Sequence, residues 1–294
     1  MPESDVILVE HAGHEIACIA HRNPDAEKSP VVWIHGLTMS VRFWEKGMFE
    51  AAVEGRSWFS VGLPLHHPGH CNKPGGVCEI TEDLFADLLD AAIEEMIPEG
   101  RFHLVGHSLG AFAALNMAAK YPARVASVTS IGGFMRGRAR GLEGALQFLS
   151  CGRYIRKALF YSGFWMMQRH WLLLKLAAFA YANDWRSLAS CPDLDPTLKN
   201  VFPDVKQHSI ASQRAFCRYL LEMDLFDEIS AIHQPVLVVA GEKDPIIPFS
   251  HQQKCADALP AGRLLALPDV GHLPFAEAPE RMFPVLAEWF EENE

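Results

Sequence analysis

The segment FHLVGHSLGAFAALNMAAK, residues 102–120, decides how this chain is read. Phe102 to Val105 is a short apolar run of the kind that forms a buried strand. It enters Gly106-His107-Ser108-Leu109-Gly110 and passes without a spacer into Leu109 to Lys120, an alanine- and leucine-rich helix stopped by Tyr121-Pro122. A serine on a tight turn between strand and helix is the setting in which G-x-S-x-G carries chemistry, because the turn lifts the hydroxyl clear of the sheet. Gly106 and Gly110 are expected to be small because a Cβ there would meet crowded backbone. The helix N-terminus under Ser108 would favour the negative charge that builds up during attack.

Outward from this segment, strand and helix alternate. Val6 to Glu10 and Glu15 to Ala20 flank Ala12-Gly13 and read as a hairpin. Val31 to Ile34, Trp58 to Leu63, Val125 to Ile131, Pro235 to Ala240 and Arg263 to Leu267 read as strands. Helical spacing runs over Thr81 to Ile97, Gln252 to Leu259 and Pro279 to Glu292. The fold class expected is therefore α/β, a mostly parallel, doubly wound sheet, whose functional residues belong at the carboxyl ends of its strands. Between about Phe134 and Ser230 the pattern is helical without a strand. We expect residues 134–230 to be an inserted helical cap on a core made of residues 1–133 and 231–294.

A serine needs a base that takes its proton and later returns one to the leaving group. His272, in Asp269-Val270-Gly271-His272-Leu273-Pro274-Phe275 after the last strand, suits both steps. Asp244, in Gly241-Glu242-Lys243-Asp244-Pro245-Ile246-Ile247-Pro248, is the expected acid, with Glu242 two residues away as its rival. A buried carboxylate there would fix the imidazole tautomer and stabilise the imidazolium. The chain order Ser, Asp, His, together with HGLTMS, GHSLG, GEKDPIIP and GHLPFAEAPE, resembles the α/β-hydrolase superfamily. The branch it is most similar to holds capped esterases, thioesterases and carbon-carbon bond hydrolases. The resemblance covers the core and not the cap. It implies an oxyanion hole built from the backbone N–H groups of Leu37 and Leu109. It also implies an Asp and a glycine-rich turn after the strand that begins at Trp58, where Gly62-Leu63-Pro64 stands in place of the acid.

Composition narrows the rest. A net charge of −10 argues against a nucleic-acid binder, since phosphate contacts need a basic face. Seven scattered cysteines without a CxxC pair read as reduced thiols, and an acidic amino-terminal stretch is unlike a secretion signal; both point to the cytoplasm. His66, His67 and His70 follow no familiar zinc spacing and are expected on an exposed loop, and His107 to pack beside the turn. No metal or organic cofactor is called for.

Two features of the cap bear on substrate. Residues 158–182, ALFYSGFWMMQRHWLLLKLAAFAYA, are dense in apolar side chains, but Arg169, His170 and Lys175 make a transmembrane span an unsuitable reading. They would form either cap packing or a hydrophobic acyl pocket. Residues 134–230 hold 13 Lys and Arg against 9 Asp and Glu, net +4, which leaves −14 for the remainder. Arg138, Arg153, Arg156 and Lys157 are placed at a substrate entrance, where they would steer an anionic substrate or an acidic acyl carrier. The activity expected is hydrolysis of a carboxylic ester, or a thioester, with an apolar acyl group. Two other readings are cleavage of a carbon-carbon bond next to a ketone by the same three residues, and a silent ligand-binding protein on this fold.

Overall fold

The structure, a computed structural model, describes residues 5–46, 48–72 and 80–294. Strands β1 (Ile7–His11) and β2 (His14–His21) form the hairpin, and Ala12 and Gly13 both take positive φ at its turn. This is the backbone that a two-residue hairpin of matching twist requires. Next come β3 (Val31–Ile34), β4 (Trp58–Val61) and helix α1 (Glu82–Met96), whose first turn is capped by the Thr81 side chain accepting from the Leu84 amide. Strand β5 (Phe102–His107), helix α2 (Leu109–Lys120) and strand β6 (Val125–Ile131) follow.

Six helices then intervene before the sheet resumes. They are α3 (Gly141–Ser150), α4 (Tyr154–Met167), α5 (Trp171–Phe179), α6 (Trp185–Ser190), α7 (Leu194–Val205) and α8 (Ile210–Tyr219). The two ends of this insertion are pinned together by an isolated bridge between Arg136 and Asp224, reinforced by a 2.6 Å ion pair between their side chains. The chain closes with β7 (Val236–Gly241), α9 (Phe249–Ala258), β8 (Gly262–Leu267), α10 (Pro274–Glu277) and α11 (Pro279–Glu292).

The sheet has eight strands in the order β1-β2-β4-β3-β5-β6-β7-β8. Its hairpin end pairs antiparallel and every pairing from β4 to β8 is parallel. Strands β3 to β7 are buried throughout, which is why they carry only apolar, small hydroxyl and histidine side chains and no charged residue facing outward. One core lies on the α1 and α2 face, around Phe85, Leu89, Phe112 and Leu115. The other lies between the sheet, α11 and α7, around Trp33, Leu198, Met282 and Phe290. Parallel strands all end on the same side, so the loops after β3, β5, β6, β7 and β8 converge there, beneath the inserted helices.

Three expectations need correction. Cys71 is disulfide-bonded, while Cys18, Cys151, Cys191, Cys217 and Cys255 are free, and Cys78 lies outside the described residues. Spacing along a chain does not reveal which Cβ atoms come within bridging distance, so reading every cysteine as reduced failed at Cys71. Disulfides persist in oxidising compartments, and the cysteines therefore no longer speak for the cytoplasm. Second, His66 is buried, not exposed. Third, β5 runs two residues beyond Val105, so the turn is tighter than its apolar pattern shows. Among the described residues no helix is long and apolar enough to cross a membrane.

Candidate active site

Ser108 sits alone between the end of β5 and the start of α2 with φ 54° and ψ −114°. A residue with a Cβ is held in such a conformation only where its surroundings over-determine it. They do so here. The Ser108 amide donates to Ile131 O on β6 (2.9 Å), and its carbonyl accepts from Ala111 (3.0 Å) and Phe112 (3.2 Å). A Cβ on Gly106 would lie 2.1 Å from Gly110 O, and one on Gly110 would lie 2.4 Å from Ile34 O. Both glycines are therefore required by close approach of backbone, as the motif predicts.

His272 follows β8 on a loop that reaches back over the sheet. Its Nδ1 lies 2.7 Å from Asp244 Oδ2, and both side chains are buried. Asp244 is held from every side: Oδ1 accepts from the amides of Ile246 (2.8 Å) and Ile247 (2.9 Å), and Oδ2 also accepts from Gln252 Nε2 (3.0 Å). A carboxylate can only accept, so the neutral imidazole carries its proton on Nδ1. That leaves Nε2 as the basic nitrogen, buried and without a hydrogen-bond partner. Gly132, at φ 55°, makes room for the ring, since a Cβ there would stand 3.1 Å from Nδ1. Glu242, the rival acid, is exposed.

The loop after β3 is braced by three buried histidines. His35 Nε2 accepts from the Leu63 amide (3.2 Å) while Nδ1 lies 2.8 Å from Gly36 O. His66 Nε2 accepts from Thr38 N–H (3.2 Å), with Nδ1 2.9 Å from Pro64 O. His208, from the insertion, accepts from the His67 amide (3.0 Å) and donates to Met39 O (2.9 Å). Each ring thus uses one nitrogen as acceptor and the other as donor, which suits the neutral form. Burial pushes all three down to about 3. His107 packs beside the turn, donating from Nε2 to His272 O (3.0 Å), and burial holds it well below the ordinary histidine value.

Ser108, His272, Leu37 and Leu109 all line one cavity of about 370 Å³, a size typical of small-molecule sites. Leu109 is the first residue of α2, so its amide is among the donors a helix leaves unpaired at its start. The roof is apolar and comes from the insertion, with Leu146, Phe164, Met167, Leu174 and Leu198 among its side chains. Glu143 interrupts it. This buried carboxyl accepts from Tyr181 Oη (2.9 Å), and burial raises its pKa above the ordinary carboxylate value. Tyr181 in turn accepts the His272 amide on its carbonyl (2.9 Å), and its ring lies 5.7 Å from the imidazole. The insertion therefore touches His272 directly.

Sequence reasoning missed Glu143 and Tyr181. The only signal was a lone carboxylate among apolar residues in GLEGALQFL. The four basic residues assigned to an entrance are not brought into the cavity. Arg138, Arg153, Arg156 and Lys157 are all exposed, and none is among its lining residues.

The family profile for the alpha/beta hydrolase fold matches residues 29–279. The chain belongs to the α/β-hydrolase family. A Pantoea ananatis protein provisionally named carbamate hydrolase RutD is 26% identical over 282 residues, covering 93% of this chain and 91% of its own length. The pimeloyl-[acyl-carrier protein] methyl ester esterase of Nitrosomonas europaea is 25% identical over 261 residues, 85% of this chain and 91% of its own. Among solved structures, a thermophilic esterase from Thermogutta terrifontis superposes with a TM-score of 0.72 at 19% identity, covering 98% of this chain and 99% of that one. This α/β-hydrolase family member is thus a hydrolase by kinship, with esterases among its relatives.

Proposed function

We propose that the chain hydrolyses a carboxylic ester or thioester with an apolar acyl group through a covalent acyl-enzyme. The observation that carries this is the 2.7 Å contact of His272 Nδ1 with Asp244, which leaves an unpaired, basic Nε2 on the cavity that Ser108 also lines. Ser108 Oγ attacks the carbonyl carbon as His272 Nε2 takes the hydroxyl proton. Asp244 stabilises the imidazolium, and the carbonyl oxygen, now an oxyanion, accepts from the amides of Leu37 and Leu109. Collapse breaks the bond to the alcohol or thiol, which leaves with the proton from His272. Water then attacks the acyl-enzyme by the same route, releasing the acid and regenerating Ser108.

Residues 134–230 serve as the cap over the core of residues 1–133 and 231–294, supplying the apolar roof that receives the acyl chain. The names of the relatives, a carbamate hydrolase and a methyl ester esterase, both describe a carbonyl joined to a heteroatom leaving group. An acyl carried on an acidic carrier protein would be one form of such a substrate. Cleavage of a carbon-carbon bond next to a ketone would need polar groups over the cavity to hold an enolate, and Arg138, Arg153, Arg156 and Lys157 stand outside it.

The test is a panel of nitrophenyl esters and thioesters of graded chain length, assayed with the wild type and with Ser108→Ala. Turnover should rise with acyl length up to the limit of the cavity, and Ser108→Ala should lower kcat by about 10⁴-fold or more. A folded protein that a fluorophosphonate does not label, with Ser108→Ala turning over as the wild type does, would leave the serine mechanism without support.

A further inference from the structure

The outer side of the inserted helices carries an apolar surface that neither core uses. On α4, Phe160 and Phe164 are buried, while Tyr154 (83% exposed), Ile155 (77%), Leu159, Trp165 and Met166 face solvent. At 3.6 residues per turn these five share one side of the helix, with exposed Ala158 and Ser162 between them. Helices α3 and α5 pack on α4 and extend the face with Phe148, Leu172 and Leu176, all exposed. A contiguous apolar surface of this kind marks an interaction site.

Charge says what would cover it. Residues 144–183 contain no Asp or Glu, in a chain whose net charge is −10. They contain Arg153, Arg156, Lys157 and Arg169, besides Lys175, which pairs with Asp195 at 2.6 Å. The cations lie over the rings of the face: Arg156 over Phe148 (4.6 Å), Arg169 over Trp165 (4.1 Å) and Arg153 over Tyr154 (5.9 Å). Trp and Tyr interleaved with Arg and Lys, with aliphatic side chains between, is the chemistry of a helix lying in a lipid–water interface. Steering of a dissolved anion would instead place these cations on the cavity wall. A second copy of the chain would have to bury Arg153, Arg156, Lys157 and Arg169 against the same four cations.

We propose that the α3–α4–α5 face adsorbs to an anionic lipid bilayer, and that the cavity draws its ester from the adjoining leaflet. The inner sides of the same helices, through Gly163, Phe164, Met167, Leu173 and Leu174, line the cavity. Met166 belongs to both surfaces, being exposed and also part of the lining, so the face reaches the cavity rim. An apolar acyl ester would then pass from hydrocarbon to the roof of the cavity with little exposure to water. Delivery of substrate rests on the ester hydrolase reading; adsorption does not.

The experiment is flotation of the whole chain with phosphatidylcholine vesicles, with and without phosphatidylglycerol, at low and raised salt. The variant pairs Ile155→Glu with Leu159→Glu, neither of which lines the cavity. The wild type should float with the anionic vesicles, at least about tenfold less with neutral ones, and less again at raised salt. The double variant should lose at least about tenfold of that binding while its turnover of a short, water-soluble nitrophenyl ester stays unchanged. Wild type that stays at the bottom of the gradient, or a variant that floats equally well, overturns the proposal. So does a dimer dissolved by the same substitutions, or capture of an acidic acyl carrier protein, without vesicle binding. Absence of soluble ester turnover in the wild type counts against the hydrolase reading and leaves flotation as it was.

Discussion

Replacing Asp244 by Asn keeps size and shape, removes the negative charge and turns one acceptor atom into a donor. The carboxylate Oδ1 receives two backbone N–H groups, from Ile246 at 2.8 Å and Ile247 at 2.9 Å. The Asn side-chain carbonyl must take that place, because an NH₂ there would face two donors. Its NH₂ then occupies the position of Oδ2, 2.7 Å from His272 Nδ1 and 3.0 Å from Gln252 Nε2. His272 can answer only by moving its proton to Nε2, which leaves Ser108 without a base. Gln252 cannot turn its amide without cost, since its Nε2 also donates to Ile247 O at 3.1 Å. A donor left facing a donor costs about 1–3 kcal/mol of stability. The wrong tautomer costs about 10⁴-fold in kcat where the same substitution is made in a serine protease triad, or about 5.5 kcal/mol of barrier. Steady-state kinetics on a nitrophenyl ester, with urea denaturation beside it, measures both quantities. Glu242→Gln is the control: that side chain is exposed and its loss should leave kcat unchanged. A folded Asp244→Asn variant within tenfold of wild-type kcat would refute the assignment of the proton to Nδ1.

Two further outcomes follow from the same region. His35, His66 and His208 are lowered from 6.5 to about 3, so between those values the unfolded chain binds protons that the folded chain does not. Stability is therefore complete above pH 6.5 and is lost as pH falls, by about 2 kcal/mol per histidine at pH 5, with the raised carboxyl of Glu143 opposing part of it. Urea midpoints should drop steeply between pH 7 and pH 5, and a flat profile would contradict the neutral cluster. Gly110→Ala would bring a Cβ within 2.4 Å of Ile34 O and 2.6 Å of His35 O, so α2 must move off β3. It should cost about 2 kcal/mol in urea denaturation and most of the ester turnover; a loss below about 0.5 kcal/mol would show that the elbow has slack.

The centre of the parallel sheet, β3 to β7, was legible because its strands are buried on both faces and flanked by turn residues, a pattern that local sequence carries. Val31 to Ile34, Val125 to Ile131 and Pro279 to Glu292 fall where the apolar pattern puts them. The glycines of the turn were legible for the same reason: backbone crowding at a strand-turn-helix junction is a local property. Ser108, His272 and Asp244 could be named from motif and chain order, yet the two amides and the glutamine that fix Asp244 could not, because they depend on how the loop after β7 folds back.

What the sequence by itself determined, then, is the alternation of elements and the residue types at strand ends, both set by short-range periodicity and turn chemistry. Tertiary structure decided everything that depends on which distant surfaces meet. It buried His66 against His35 and His208, bonded Cys71, and turned Glu143 and Tyr181 toward His272. It also left Arg153, Arg156 and Lys157 exposed and away from the cavity. A helix dense in apolar residues on all sides does not announce which side faces the core, and only packing against α3 and α5 settled that Phe164 lines the cavity while Tyr154 and Ile155 face the solvent.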